Sequence, residues 1–289
     1  MLQEKLQKGD FVITAEIVPP LSGNAGDLMD RVSPLAGVVD AVNITDGAGA
    51  RLAMSSLAAS AILVREGVEP VLQLTCRDRN RIGLAADLLG ASALGIKNLL
   101  ILHGDDPSKG DMPEAKAVFD LDSKGLLAIA DDMDGVVERD VVNAPQFYIG
   151  CADAPIDPPA DWKPASLQAK IASGAQFAQT QFCFDLDVAK RYFERLGQEG
   201  VTDKLKFIVG VGPLLSFKQA QFMDANLFGV SVPDHILARM ENAKDQKTEG
   251  RKICAELVKG LRDISGVAGV HVMAPMQNGK SIAEAIKAF

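Results

Sequence analysis

Histidine is scarce in this chain: His103, His235 and His271 are the only three among 289 residues. A metal centre built on several imidazoles is therefore excluded. Cysteine is nearly as sparse. Cys76, Cys151, Cys183 and Cys254 contain no C-x-x-C pair, and three of them follow strand-like runs. They read as reduced thiols of a cytoplasmic protein. Residues 1–10 lack the apolar core of a signal peptide, and no segment reaches the length of a membrane span. Positive charge is in deficit, with 30 Lys and Arg against 38 Asp and Glu, a net charge of -8. Nucleic acid and anionic membrane are disfavoured as partners. No Ser or Cys stands in a recognisable relation to a His, so no nucleophile–base pair can be read.

What remains is an ordinary globular composition, 47% hydrophobic and 24% charged. Its length suits one large α/β barrel or two small domains, and no Pro/Gly/Ser linker divides it. Short apolar runs bounded by turn residues predict strands at 11–18, 40–45, 70–76, 99–102, 147–151, 177–181, 205–211 and 269–274. Helical periodicity predicts helices near 28–35, 51–65, 82–94, 126–133, 165–172, 188–196, 217–223 and 281–288. A polar helical stretch around 230–265 reads as an excursion outside the barrel. Eight strands, each followed by a helix, predict an α/β fold, a (β/α)8 TIM barrel in a single domain. A doubly wound sheet is disfavoured, because no G-x-G-x-x-G follows any strand.

In such a barrel the chemistry lies at the C-terminal strand ends. The polar residues there are Glu16, Thr45, Gln73, Asp105 and Gln181. Glu16 is either paired in the barrel or kept for proton transfer, and burial would raise its pKa toward that of an acid. Asp105, in His103-Gly-Asp-Asp-Pro107, is either a functional carboxylate or part of a turn. Arg77-Asp-Arg-Asn80 reads as a helix N-terminus capped by Asp78 or Asn80. Gln181 either meets a ligand or caps its own loop. Lys170 and the arginines after Cys76 are the main cations. A mouth so composed suits a polar heteroaromatic ligand better than a sugar phosphate.

The order and spacing of several pieces resemble the 5,10-methylenetetrahydrofolate reductase family over nearly the whole length. They are Ala15-Glu-Ile-Val-Pro-Pro20, Asn43-Ile-Thr-Asp-Gly-Ala48, Gln73-Leu-Thr-Cys-Arg-Asp-Arg-Asn80 and Gly104-Asp105. Lys170-Ile-Ala-Ser-Gly-Ala175, Thr180-Gln-Phe182, Gly212-Pro213 and Phe217-Lys-Gln-Ala220 continue them. The Arg-Asp-Arg-Asn form looks closest to the branch found in acetogens and in proteins fused to homocysteine methyltransferase. The resemblance implies reduction of 5,10-methylenetetrahydrofolate to 5-methyltetrahydrofolate by hydride transfer through FAD. NADH, NADPH or a reduced protein partner would supply the electrons. It implies a place in one-carbon metabolism and methionine supply, and leaves a homo-oligomer open.

By resemblance, Glu16 is the general acid at folate N10, and Asp105 holds the pterin and tunes the flavin. Thr45, Lys170 and the loop of Ala117, Val118, Phe119 and Asp120 lie along FAD. Gln73, His103, Gly150 and Cys151 border it. Gln181, Gln219 and Met223 face the folate. Three positions depart from the family pattern. Gln73 stands where many members have His, and His103 where Arg often precedes Gly-Asp. Gly150-Cys-Ala-Asp-Ala-Pro155 lacks the His of the commoner Pro-Glu-x-His-Pro. A flavin-free variant stays open. So does a pterin-dependent methyltransferase barrel working with a corrinoid partner, which would need a pterin-holding Asp but neither flavin nor Glu16. A non-catalytic barrel within a larger complex is disfavoured by the retained Glu16, Asp105 and Gln181.

Overall fold

The computed structural model describes residues 1–138 and 140–289. The strands are β1 (Val12–Ile17), β2 (Ala41–Ile44), β3 (Pro70–Thr75) and β4 (Asn98–Leu102). β5 (Tyr148–Asp153), β6 (Phe177–Phe182), β7 (Lys206–Val211) and β8 (Val267–Val272) complete the set. Every strand pairs in parallel with the next, and β8 returns to β1, so the sheet closes. The helix α1 (Leu2–Lys8) precedes the sheet. After β1 to β6 come, in turn, α2 (Ala25–Val32), α3 (Ser56–Arg65), α4 (Arg81–Ala93), α5 (Ser123–Asp131), α6 (Ala165–Ala172) and α7 (Leu186–Gln198). α8 (Phe217–Asn226), α9 (Asp234–Asn242) and α10 (Gln246–Arg262) follow β7, and α11 (Gly279–Ile286) follows β8. This is the expected single-domain (β/α)8 barrel. Among the described residues no helix is long and apolar enough to cross a membrane.

Alternation along each strand divides the core in two. Ala15, Ile17, Val42, Ile44, Leu72, Leu74, Leu99 and Ile101 point outward under the helices and belong to the main apolar cluster. Their neighbours point inward. The floor of the interior is filled by Val12, Val71, Leu100, Tyr148, Phe177 and Ile208. The Tyr148 and Phe177 rings stack at 5.0 Å, and a Cβ on Gly150 would lie 2.3 Å from the Phe177 ring. Only glycine lets β5 pass that stack.

Two of the expected elements differ in the structure, and α1 was not among the expected ones. The helix expected from residue 51 starts at Ser56. Residues 51–55 stay extended because their backbone is claimed by other loops: Leu52 N–H donates to Asp111 and Met54 N–H to the Pro20 carbonyl. The stretch around 230–265 divides in two. α9 packs beside α8 over a satellite cluster of Met223, Ile236, Met240 and Ile253. α10 lies on β7 and β8, with Cys254, Val258 and Leu261 in the main core. Its apolar stripe is narrow and the rest of its surface charged, so its sequence looks more peripheral than its position is.

The helix α1 closes the bottom of the barrel. Its seven residues are too few to stand alone. Leu2 and Leu6, one turn apart, are 0% and 1% exposed and join the floor cluster. The Leu2 N–H donates to Glu69 Oε1 at 2.8 Å, and Asn98 Nδ2 donates to the same oxygen at 2.9 Å. Fully burying a leucine contributes about 1.5–3 kcal/mol. Leu6→Ala is therefore expected to lower unfolding stability in urea by about 2–5 kcal/mol, because the closed floor cannot collapse onto the gap. An unchanged unfolding midpoint would mean that α1 is not part of the barrel core.

Candidate active site

The inward positions at the top of the strands form the mouth. Glu16 extends from β1, Thr45 follows β2, Gln73 is on β3 and Gln181 on β6. Glu16 keeps 26% of its side chain exposed. Gln73 Nε2 donates to Glu16 Oε2 at 3.3 Å, and His271 Nε2, from β8, lies 3.8 Å from the same oxygen. Both nitrogen atoms therefore lie on the Oε2 side of the carboxyl, and among the described residues no hydrogen bond is made to Oε1. The Thr45 hydroxyl is buried and has no hydrogen-bond partner among the described residues. A buried polar atom left unpaired at a strand end is a place for a ligand atom.

A polar layer lies under Glu16. Thr14 Oγ1 and His271 Nδ1 are 2.8 Å apart. Gln179 Nε2 donates to Thr14 Oγ1 at 3.3 Å and to Asn43 Oδ1 at 3.2 Å. Asn43 Nδ2 donates back to Gln179 Oε1 at 2.5 Å. All four side chains are buried. Sequence reading missed this layer. Each member looks like an isolated polar residue in an apolar strand, and only closure of the barrel brings β1, β2, β6 and β8 together.

Several carboxylates tie the βα loops to one another. Asp46, after β2, accepts from Thr75 N–H at 2.8 Å, Thr75 Oγ1 at 2.9 Å, Ser56 Oγ at 3.1 Å and Arg79 Nη2. Arg77 pairs with Asp78 and donates to the Gly47 carbonyl at 3.1 Å. Of the two caps expected for α4, Asn80 is the one used, accepting from Gly83 N–H. Asp105 is exposed, and its Oδ2 accepts from Gly49 N–H at 2.8 Å. Gly104 before it has φ +100°, and a Cβ there would lie 2.8 Å from Arg77 Cβ. The following turn is capped by Asp106 through Ser108 N–H, whose hydrogen bond holds the Asp106 carboxyl below its ordinary value.

The expected flavin-lining loop folds back over these ends. The His103 ring stacks on Phe119 at 4.3 Å, nearly parallel. Val118 N–H donates to the Arg77 carbonyl at 2.7 Å. Asp120 accepts from Arg81 N–H and Nε, which lowers its pKa. Ala117 is half-buried between them. Lys170 Nζ, from α6, donates to the Ala152 carbonyl at 2.7 Å. Gly150 faces the interior, while Cys151 points outward into the main core, its thiol pushed up to about 12 by burial.

The folate-facing candidates are less alike. Gln181 Nε2 donates to the Phe228 carbonyl at 3.3 Å and its Oε1 accepts from Phe182 N–H. Gln219 closes the first turn of α8, its Oε1 accepting from Leu215 N–H at 2.7 Å. Met223 is buried in the satellite cluster. The structure thus brings Glu16 and Gln73 into contact, with Thr45 at the neighbouring strand end. It buries Cys151 in the main core and Met223 in the satellite cluster, and sets the others in the surrounding strands, loops and helices.

One cavity of about 440 Å³ lies beside Glu16, walled by Ile17, Arg31, Pro275 and Met276. A second, also about 440 Å³, is lined by Lys170, Gln181, Trp162 and Phe228. A third, about 620 Å³, is a groove between α7 and α10 in the outer helical layer, away from the strand ends. Exposed apolar side chains ring the mouth, with Leu21, Phe228 and Met276 at 72%, 91% and 88% exposure. An apolar rim around a polar floor fits a ligand with flat hydrophobic faces and polar edges.

Comparison with known proteins shows the family. The family model described as "Methylenetetrahydrofolate reductase" matches residues 1–289. A 5,10-methylenetetrahydrofolate reductase of Salmonella typhimurium is 27% identical over 262 residues, covering 88% of this chain and 83% of that protein. A probable methylenetetrahydrofolate reductase (NADPH) of Caenorhabditis elegans is 26% identical over 247 residues, and the match spans 83% of this chain but only 35% of the worm protein. An uncharacterized protein from Clostridium thermocellum, which binds two copies of 5-methyl-5,6,7,8-tetrahydrofolic acid, has the same fold. Its TM-score is 0.65 at 16% identity, covering 99% of this chain and 96% of that one. Matched along its whole length, the chain belongs to the methylenetetrahydrofolate reductase family, a family of oxidoreductases.

Proposed function

We propose that the protein reduces 5,10-methylenetetrahydrofolate to 5-methyltetrahydrofolate, with Glu16 as the proton donor. The observation that carries this reading is the placement of Glu16: a carboxyl on a rigid strand, open to the mouth on Oε1 and flanked on Oε2 by Gln73 and His271. A proton delivered from Oε1 to folate N10 would open the five-membered ring and leave a 5-iminium cation able to accept hydride. General acid catalysis of this kind contributes about 10²–10⁴-fold. The ring edges of a pterin fit the polar floor, and its faces fit the apolar rim.

FAD, when bound, would pass hydride from NADH or NADPH to the one-carbon unit. The residues present fit a flavin: the unpartnered Thr45 hydroxyl offers a hydrogen bond, and the loop Ala117–Asp120 with Lys170 offers a flank. Asp105 would hold the pterin, with Gln181 and Gln219 along the folate. The Arg77-Asp-Arg-Asn80 segment favours the branch found in acetogens and fused methyltransferases. Absorbance near 450 nm and anaerobic turnover with each nicotinamide in turn test the cofactor and the donor. A pterin-dependent methyltransferase would consume no nicotinamide.

Glu16→Gln is expected to lower folate reduction by at least about 10²-fold while leaving flavin reduction by nicotinamide near wild type. Stopped-flow measurement of the two half-reactions checks this. Equal losses in both would make Glu16 a packing residue instead.

Asp105→Asn separates charge from loop support. The amide oxygen can still accept from Gly49 N–H, so the unfolding midpoint should stay close to wild type. Folate binding should weaken by about 1–3 kcal/mol as one acceptor becomes a donor, and the flavin potential should rise as the negative charge is lost. Titration of folate and of the flavin potential read the two effects. Unchanged affinity and potential would remove Asp105 from the site.

A further inference from the structure

We propose that the reciprocal amide pair Asn43–Gln179 sets the tautomer of His271, fixing its proton on Nε2 and thereby directing the acidic proton of Glu16 to Oε1. The kinetic part of this inference rests on Glu16 being the acid; the tautomer does not. The reasoning follows the hydrogen bonds downward from Glu16. Gln179 Nε2 donates to Thr14 Oγ1 at 3.3 Å. A hydroxyl that accepts from one side has its own proton free for the other, and the other neighbour is His271 Nδ1 at 2.8 Å. With Thr14 donating to Nδ1, that nitrogen is bare and the ring proton sits on Nε2. That N–H faces Glu16 Oε2 at 3.8 Å, beside the Gln73 donor at 3.3 Å. With two N–H groups aimed at Oε2, a proton there would face like charge. It belongs on Oε1, toward the mouth.

The amide pair gives the chain its polarity. Asn43 and Gln179 exchange two hydrogen bonds, so neither can turn over alone without opposing like groups. If both turned, Gln179 Oε1 would face Thr14, the hydroxyl would donate downward, and His271 would carry its proton on Nδ1. A bare Nε2 would then compete with substrate for the Glu16 proton. The pair is also a dead end. Amides neither give nor take protons at neutral pH, so no proton leaves Glu16 through the barrel floor, and Glu16 is reloaded from the mouth. Asn43 and Gln179 are thus positioning residues that act through Thr14 and His271 without reaching the mouth.

The test is ¹⁵N NMR of the histidine side chains in the full-length protein without substrate. The His271 signals are assigned by their loss in His271→Asn. The expected wild-type result is a bare-nitrogen shift at Nδ1 and an N–H shift at Nε2. An Nδ1–H tautomer or a doubly protonated ring overturns the proposal from the wild-type spectrum alone. The double variant Asn43→Leu/Gln179→Met replaces both amides by apolar groups of similar size, which avoids leaving one amide unpaired. It should give a mixed His271 tautomer and slow the folate half-reaction about 10-fold or more, as loss of an orienting hydrogen bond does elsewhere. Flavin reduction by nicotinamide should be unchanged. Retention of the Nε2–H tautomer in the double variant, or a tautomer change with no effect on the folate step, overturns it. A wild-type protein that shows the expected tautomer but reduces no folate would remove the reductase reading and leave the tautomer assignment standing.

Discussion

A closed barrel of parallel strands sends every second side chain into one shared interior, and each inward group must be packed or hydrogen-bonded there. The rest of this structure depends on how that interior is filled. At the bottom it is filled by aliphatic side chains, the Tyr148–Phe177 ring stack and the leucines of α1. In the middle it is filled by Thr14, Asn43, Gln179 and His271, polar groups that satisfy one another. Above that layer lie Glu16, Thr45 and Gln73, of which Glu16 keeps 26% of its side chain exposed while Thr45 and Gln73 are buried. Buried polar groups are costly unless paired, so the middle layer has few alternative arrangements. Rigidity beneath Glu16 follows from that cost.

The loops around the mouth are held by a different device. Asp46, Asp105, Asp111 and Asp120 each accept from the backbone of another βα loop or helix start. Loops after β2, β3 and β4 are thereby tied into one wall. Asp105, Asp111 and Asp120 are exposed, so each of their bonds is individually worth little, whereas Asp46 keeps only 11% of its side chain exposed; their joint effect is the placement of the wall. Asp105 shows the loop-support role: one oxygen holds Gly49 N–H, and the side chain is exposed.

Much of the arrangement was legible in the residues. The eight strands stand out because a parallel barrel buries both faces of its sheet and leaves short unbroken apolar runs. Glu16 and Thr45 could be placed at one mouth because they lie at the ends of such runs, and Gln73 because it is a polar residue within the third. α1 was not legible: seven residues with two leucines carry no periodicity that a surface helix would not share, and only the open barrel floor makes them core. The helix expected from residue 51 was too long by five residues, since its first residues have helical composition but lose their backbone donors to Asp111 and Pro20. α10 was assigned to the periphery because its charged face outweighs its narrow apolar stripe.

The sequence by itself determined the strand count, the barrel and the carboxylates at the strand ends, because these rest on local alternation and on turn residues next to each run. The tertiary structure alone decided which polar groups touch. His271 is 255 residues from Glu16 in the chain yet faces it across one strand pair, and Gln179 reaches both Thr14 and Asn43 through the barrel interior. Periodicity says which side of a strand a residue occupies. It does not say how far the closed sheet is tilted, and that tilt decides which of the inward residues share a layer.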